Sequence, residues 1–165
     1  MFGFIMETLI ALATAHIEFV VAGGVAVILH GVERTTMDLD VALNMTNDNL
    51  MRALAVFRAL GLTPRAPVPA EDLLDAEKVR RMIEDKHAQV FTFMDIRRPD
   101  RQVDVFLPAE LAYDVLARNA QAVLIAGHTV RVVSRERLIA MKRAVQPPRP
   151  KDLHDVAELE RLGEP

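Results

Sequence analysis

The chain has no cysteine, so disulfides, thiolate zinc sites and cysteine nucleophiles are excluded. It has no excess of positive charge: 20 Lys and Arg stand against 23 Asp and Glu, a net charge of −3. Wholesale electrostatic capture of nucleic acid is therefore not expected, and any contact with a phosphate backbone has to come from a local basic patch. Aromatic residues make up only 5% and no basic stripe is interleaved with them, which disfavours RNA binding without chemistry. The Met residues and the Phe91/Phe93 pair read as core. His30, His87, His128 and His154 stand at no ligand spacing, so they read as surface or capping residues and zinc is not expected. There is no bilayer-spanning apolar run. Phe2–Met6 is apolar, but Glu7, His16 and Glu18 interrupt the stretch after it and no basic region precedes it. A soluble, cytoplasmic protein without a membrane partner is the expectation. Repeats, linkers and low-complexity tracts are also missing, and 165 residues suit one domain with a real core.

What is there is an alternation of short apolar strands and helices. Met6–Ala15 reads as a helix, Ile17–Ala22 as a strand covered on both faces, and Gly23–His30 as a small-residue helix ended by Gly31. Met37–Leu43 is a second strand. A helix opens at Thr46 and runs to Leu60, with Gly61 as its stop and Pro64–Pro69 as loop. Ala70–Asp85 reads as one charged amphipathic helix with Leu73, Leu74 and Val79 inward. Ala88–Ile96 and Gln102–Leu107 form a hairpin around Arg97–Asp100. Pro108 opens a helix to about Asn119. Val123–Ile125 and Thr129–Val133 pair around Gly127-His128. Ser134 caps a helix to about Val145, and Pro150 starts a last helix to Leu162. The expected fold class is α/β (α+β): a mixed β-sheet flanked by helices, with a short helical C-terminal portion. Residues 1–165 form one domain in this reading, with a sheet core over 1–133 and C-terminal helices over 134–165.

The chemistry gathers near the start. Phe19-Val-Val-Ala-Gly23-Gly24 carries a strand into two glycines and a helix, and Met37-Asp38-Leu-Asp40 opens the next strand. Glycines let phosphate oxygens approach bare backbone amides at a helix N-terminus. Side chains two apart on a strand point the same way, so Asp38 and Asp40 project together from Cα atoms roughly 7 Å apart. Two carboxylates so placed suit one or two Mg²⁺ ions bridging substrate phosphates. Asp104, in Gln102-Val-Asp104-Val-Phe106, is a third acid on a partly apolar strand face, costly there unless paired or liganded. If its strand lies beside that of Asp38 and Asp40, three carboxylates converge and a cation relieves their repulsion.

Other residues admit two readings. Lys142 is either a cation for a triphosphate or a helix-end lysine favoured by the macrodipole. Arg34 either reaches a phosphate or pairs with Glu33 or Asp38. Thr35 and Thr36 are most simply β-branched residues at a strand entry. Lys151, Asp152 and Asp155 open the last helix, where acids complement the dipole and Lys151–Asp155 makes a surface i,i+4 pair. Arg149 precedes them on a proline-rich loop, placed to contact nucleotide or acceptor.

Gly23-Gly24, Arg34-x-Thr36-x-Asp38-x-Asp40 and the later Asp104 resemble the nucleotidyltransferase superfamily of the DNA polymerase beta type. Its small bacterial members are most similar: abortive-infection type toxins, minimal nucleotidyltransferases, and the aminoglycoside and lincosamide nucleotidyltransferases. Arg137-Leu-Ile-Ala-Met-Lys142 and Arg149-Pro-Lys151-Asp152-Leu-His-Asp155 resemble the ending of the toxin-like branch. The superfamily often carries Gly-Ser where this chain has Gly23-Gly24, so one side-chain donor is missing here while the backbone site remains.

The resemblance implies a nucleotidyltransferase fold and transfer of NMP from an NTP, ATP among them, to an acceptor hydroxyl. Asp38 and Asp40 would hold two Mg²⁺ ions, with Mn²⁺ a substitute. Asp104 would ligate the catalytic metal and help activate the acceptor. Gly23 and Gly24 would cradle phosphates, with Arg34 and Lys142 at the nucleotide and site roles also open to Arg149, Lys151 and Asp152. A toxin-like or defence enzyme acting on RNA or a protein hydroxyl, with an antitoxin or partner subunit, is expected. An antibiotic-modifying enzyme is the alternative; it would need an acidic pocket, for which Glu71, Asp72 and Asp75 are candidates. A non-catalytic nucleotide- or partner-binding module of the same fold is the other.

Overall fold

A computed structural model describes residues 2–164. In chain order the elements are α1 (Phe2–Thr14), β1 (Phe19–Ala22), α2 (Gly23–Leu29), β2 (Asp38–Leu43), α3 (Asn47–Ala59), β3 (Thr63–Pro64), α4 (Ala76–Lys86), β4 (Val90–Asp95), β5 (Arg98–Phe106), α5 (Tyr113–Leu116), β6 (Gln121–Ile125), β7 (His128–Val132), α6 (Arg135–Arg143) and α7 (Pro150–Arg161). The seven strands make one mixed sheet in the order β3-β4-β5-β2-β1-β7-β6. β1 runs antiparallel to β2 and parallel to β7, and β2 runs parallel to β5.

Strand alternation sorts the sheet into two faces. Leu39 and Val41 of β2, Val103 and Val105 of β5, and Phe91 and Phe93 of β4 share one face and are buried. α3 packs there through Phe57, whose ring lies 4.8 Å from that of Phe93, and Phe91 lies 5.1 Å from Phe93. The opposite face carries Asp38, Asp40, Gln102, Asp104 and Thr92. The core thus fills one side of β2, β5 and β4 and leaves their acids to the other.

Several boundaries differ from the sequence reading, each for a local reason. α1 begins at Phe2, not Met6, because Phe4, Ile5, Thr8, Leu9 and Leu12 form one buried stripe, with the Thr8 hydroxyl donating to the Phe4 carbonyl at 2.8 Å. The Ala70–Asp85 helix divides: Ala70–Leu74 is a 3₁₀ turn, Asp75 is extended, and its carboxylate accepts from the Glu77 and Lys78 amides at 3.0 and 3.2 Å to cap α4. The Pro108–Asn119 helix divides likewise, at extended Ala112, into a 3₁₀ turn and α5. Thr63–Pro64 pairs with β4 at the sheet edge, so Pro64, read as the start of a loop, is a strand residue there, where proline's missing donor costs nothing.

The hairpin β4–β5 turns at Ile96-Arg97, so Arg98–Asp100 belongs to the strand, with a register slip at Met94/Asp95. The β6–β7 turn is Ala126-Gly127, both at positive φ, as a two-residue hairpin loop requires. α6 stops at Arg143. Met37, Met45 and Met51 are exposed rather than in the core. Gly61 does end α3: at φ +76° it lets the Leu62 amide return to the Phe57 carbonyl at 2.9 Å. No helix among the described residues is long and apolar enough to cross a membrane.

Buried Asn49 ties α3 to the entry of β1. Its side chain accepts from the Glu18 amide at 2.8 Å and donates to the Glu18 and Asn44 carbonyls at 3.0 and 2.8 Å. Asn49→Ala removes these three hydrogen bonds, the Glu18 carbonyl keeping only the Asn44 amide at 3.0 Å, and urea unfolding is expected to show a loss of about 2–3 kcal/mol. A midpoint equal to wild type would show that water replaces the amide at no cost.

Candidate functional site

Parallel pairing of β2 with β5 places Asp40 opposite Asp104 and Asp38 opposite Gln102. Asp38, Asp40 and Asp104 each offer a carboxylate oxygen, all within 4.8 Å of one another. Thr92 is the register partner of Asp104 across β4–β5; its hydroxyl donates to Asp104 Oδ1 at 2.6 Å, and the Gln102 amide donates to both Asp104 oxygens at 3.2 Å. Thr36 donates to Asp38 Oδ1 at 3.3 Å. These three side chains orient Asp38 and Asp104, and none of the contacts was legible in the sequence, because Thr92 and Gln102 acquire meaning only once register is known.

Burial and crowding together raise two of the acids. The Asp40 carboxyl is pushed up to about 7, first by burial and then by the charges of Asp38 and Asp104. Burial also lifts Asp104, partly offset by the Thr92 hydrogen bond. An oxygen-only donor set of this density fits a hard divalent cation such as Mg²⁺ or Mn²⁺.

Gly23 and Gly24 close the cleft at the start of α2, whose N-terminus no side chain caps. Gly23 sits at φ +62°, and a Cβ there would lie 1.9 Å from Asp40 Oδ2. A Cβ on Gly24 would meet Thr36 Oγ1 at 2.6 Å. The glycine pair therefore has a second reason beyond phosphate approach: it makes room for the acid and for the threonine beside Asp38.

The cleft, about 210 Å³, also receives Arg34, Lys142, Arg149, Lys151 and Asp152. Every residue expected at the site is thus brought to one place. The pairing differs from the sequence reading. Arg34 pairs with Asp155, not with Glu33 or Asp38. Asp155 is buried and accepts from Lys142 at 2.8 Å, so it makes no surface pair with Lys151. Asp152, also buried, accepts from Lys142 at 3.3 Å and Arg149 at 2.5 Å. Burial alone would raise Asp152; hydrogen bonding from Arg149 and the charges of Lys142 and Arg149 hold it below the usual carboxylate range. The acids of α7 are counter-ions to the cations of the cleft, beyond any service to the helix dipole. The spacing Asp152-x-x-Asp155, which puts both on one helix face, was the available signal.

Two measurements test this crowding. An Asp whose folded-state pKa is raised keeps its proton in the folded chain while the unfolded chain releases it. Folding stability therefore falls as pH rises from about 4 to about 7. Metal-free protein is expected to melt at lower temperature at pH 8 than at pH 5 beyond the trend of Asp40→Asn, and Mg²⁺ to restore more at pH 8. Identical pH profiles for the two proteins would refute the crowding. Gly23→Ala is expected to abolish Mg²⁺ binding by calorimetry, because the methyl group takes the place of the Asp40 carboxylate; unchanged binding would show that β2 shifts freely.

Solved structures of similar fold cover nearly the whole chain. The solution structure of the antibiotic-resistance factor ANT(2'')-Ia is 19% identical, with a TM-score of 0.59 over 97% of this chain and 87% of that one. The lincomycin-bound lincosamide antibiotic adenylyltransferase LnuA is 11% identical, with a TM-score of 0.65 over 97% and 96%. An antigenic nucleotidyltransferase-like protein from Paracoccidioides brasiliensis is 19% identical, with a TM-score of 0.56 over 94% and 73%. At these identities the likeness is one of fold. No curated protein matches by sequence at a significant level. Residues 5–165 match the model of the AbiEii nucleotidyl transferase toxins of type IV toxin–antitoxin systems, and the chain belongs to that family of nucleotidyltransferases.

Proposed function

We propose that the protein is a Mg²⁺-dependent, toxin-like enzyme that transfers NMP from an NTP to a hydroxyl on RNA or protein. The observation that carries this reading is the meeting of Asp38, Asp40 and Asp104 with the Gly23-Gly24 turn in one polar cleft. Asp38 and Asp40 would hold the metal, with Asp104 on its acceptor side. Bound there, Mg²⁺ supplies charge neutralisation on the triphosphate.

The chain's own residues do the positioning. The amides of Gly23 and Gly24 face the phosphates, and Lys142 and Arg34, locked by Asp155, supply fixed positive charge beside them. Preorganised cations lose little on binding and are most effective where water is excluded. Arg149 and Lys151 stand at the mouth, toward the nucleotide. Asp104, held by Thr92, accepts the proton of the acceptor hydroxyl as its oxygen bonds to the α-phosphorus. The bond to the bridging oxygen breaks and pyrophosphate departs. An antitoxin partner is part of this reading because the family is one of toxin–antitoxin systems.

An antibiotic acceptor is the weaker reading. The acids it would require are engaged: Glu71 pairs with Arg58, Asp72 with Lys78, and Asp75 caps α4.

The test is incubation with each α-³²P-labelled NTP and Mg²⁺ against total RNA, total protein and a panel of antibiotics. Wild type is expected to label RNA or protein, and Asp38→Asn/Asp40→Asn to fall by at least about 10³-fold, the scale of removing groups that stabilise developing charge. Labelling by the double variant at the wild-type rate would sink the assignment.

A further inference from the structure

A second groove, of about 650 Å³, lies on the β4 side of the acids, between α4 and the segment after β3. It shares no lining residue with the polar cleft but touches it through Thr92, which lines the groove and donates to Asp104. Its floor is apolar, with Val68, Met82 and Val90, and its rim carries Arg65, Lys78, Arg81 and Lys86 against Asp72 and Asp85. Asp72 is already neutralised by Lys78 at 2.9 Å, and Arg81 is held by Glu77. Among the described residues, Arg65, Lys86 and Asp85 make no ion pair and are exposed, so the unpaired rim charges are two positive and one negative and the groove stays net positive.

Strand order gives this groove its meaning. Along β4-β5-β2-β1 the sheet presents the groove at Thr92, then Asp104, then Asp40 and Asp38, then the Gly23 turn. In-line displacement requires the attacking oxygen to enter opposite the leaving pyrophosphate. If the triphosphate tail lies at the glycines, the attack comes from β4, where the groove opens. We infer that this groove binds the acceptor, and that the acceptor is phosphate-bearing: its phosphates meet Arg65 and Lys86 while its hydroxyl is held at Asp104. A phosphate-rich RNA end supplies this chemistry, as does a small sugar phosphate; a polycationic antibiotic meets like charge there. The inference rests on the transfer reading above and adds the class and entry side of the acceptor.

The experiment measures binding of a fluorescein-labelled single-stranded RNA oligonucleotide with a free 3′-hydroxyl, with the nucleotide site filled by α,β-methylene ATP and Mg²⁺. Ribose 5-phosphate and tobramycin serve as competitors. Wild type is compared with Arg65→Gln/Lys86→Gln, two exposed changes outside the cleft. The variant is expected to bind RNA about tenfold more weakly and to lose about 1.4 from the slope of log K against log salt, about 0.7 for each lost phosphate contact. Its calorimetric affinity for α,β-methylene ATP stays unchanged. Competition by ribose 5-phosphate at micromolar levels would make the acceptor a small sugar phosphate, and its absence a polynucleotide. No RNA or sugar-phosphate binding by wild type, equal binding by the variant, or displacement by tobramycin alone overturns the inference. Wild type that also fails to bind α,β-methylene ATP refutes the transfer reading itself.

Discussion

Three carboxylates held within 4.8 Å of one another oppose folding, and much of the molecule is arranged to hold them there. Like charges at that separation repel strongly once water is partly excluded. The strands that carry them are fixed by apolar pairs on the reverse face, Leu39 and Val41 against Val103 and Val105. None of those four side chains has an alternative: a slip of one residue would send the acids into the core and the valines into the cleft. The hydrophobic face of β2 and β5 sets the register, and the register forces the acids together.

The positive counterpart is built separately and held by its own acids. Asp155 and Asp152 of α7 bind Lys142, Arg34 and Arg149. Buried ion pairs of this kind add little net stability, but removing one partner leaves an uncompensated charge. Their effect is geometric. Lys142, 9% exposed and held by two carboxylates, has lost most of the freedom of a surface lysine and stands ready beside the cleft.

The sequence made the centre of this site legible and its supports much less so. Gly23-Gly24, Asp38-x-Asp40 and Asp104 are readable because their spacing obeys strand periodicity, which needs no tertiary knowledge. The convergence of Asp104 with the pair depends on which strands are neighbours, a tertiary fact that the pairing of β2 with β5 supplies. Arg34 and Asp155 could not be matched, since 121 positions separate them and nothing local favours that partner over Glu33. Elements failed where one extended residue interrupts a good helical pattern, at Asp75 and Ala112. There side-chain capping and the path of the chain outweighed propensity. The exposed Met37, Met45 and Met51 show the limit of reading apolar residues as interior.

The link between Arg34 and Asp155 has a bearing on how the protein is made. Every strand and all three acids precede α7 in the chain. A nascent chain can therefore pair β2 with β5 and gather Asp38, Asp40 and Asp104 while the carboxylates that restrain Arg34 and Lys142 are still untranslated. The electrostatic completion of the cleft is thereby deferred until α7 is in place, so a product truncated before α7 carries the acids without the ordered cations that face them.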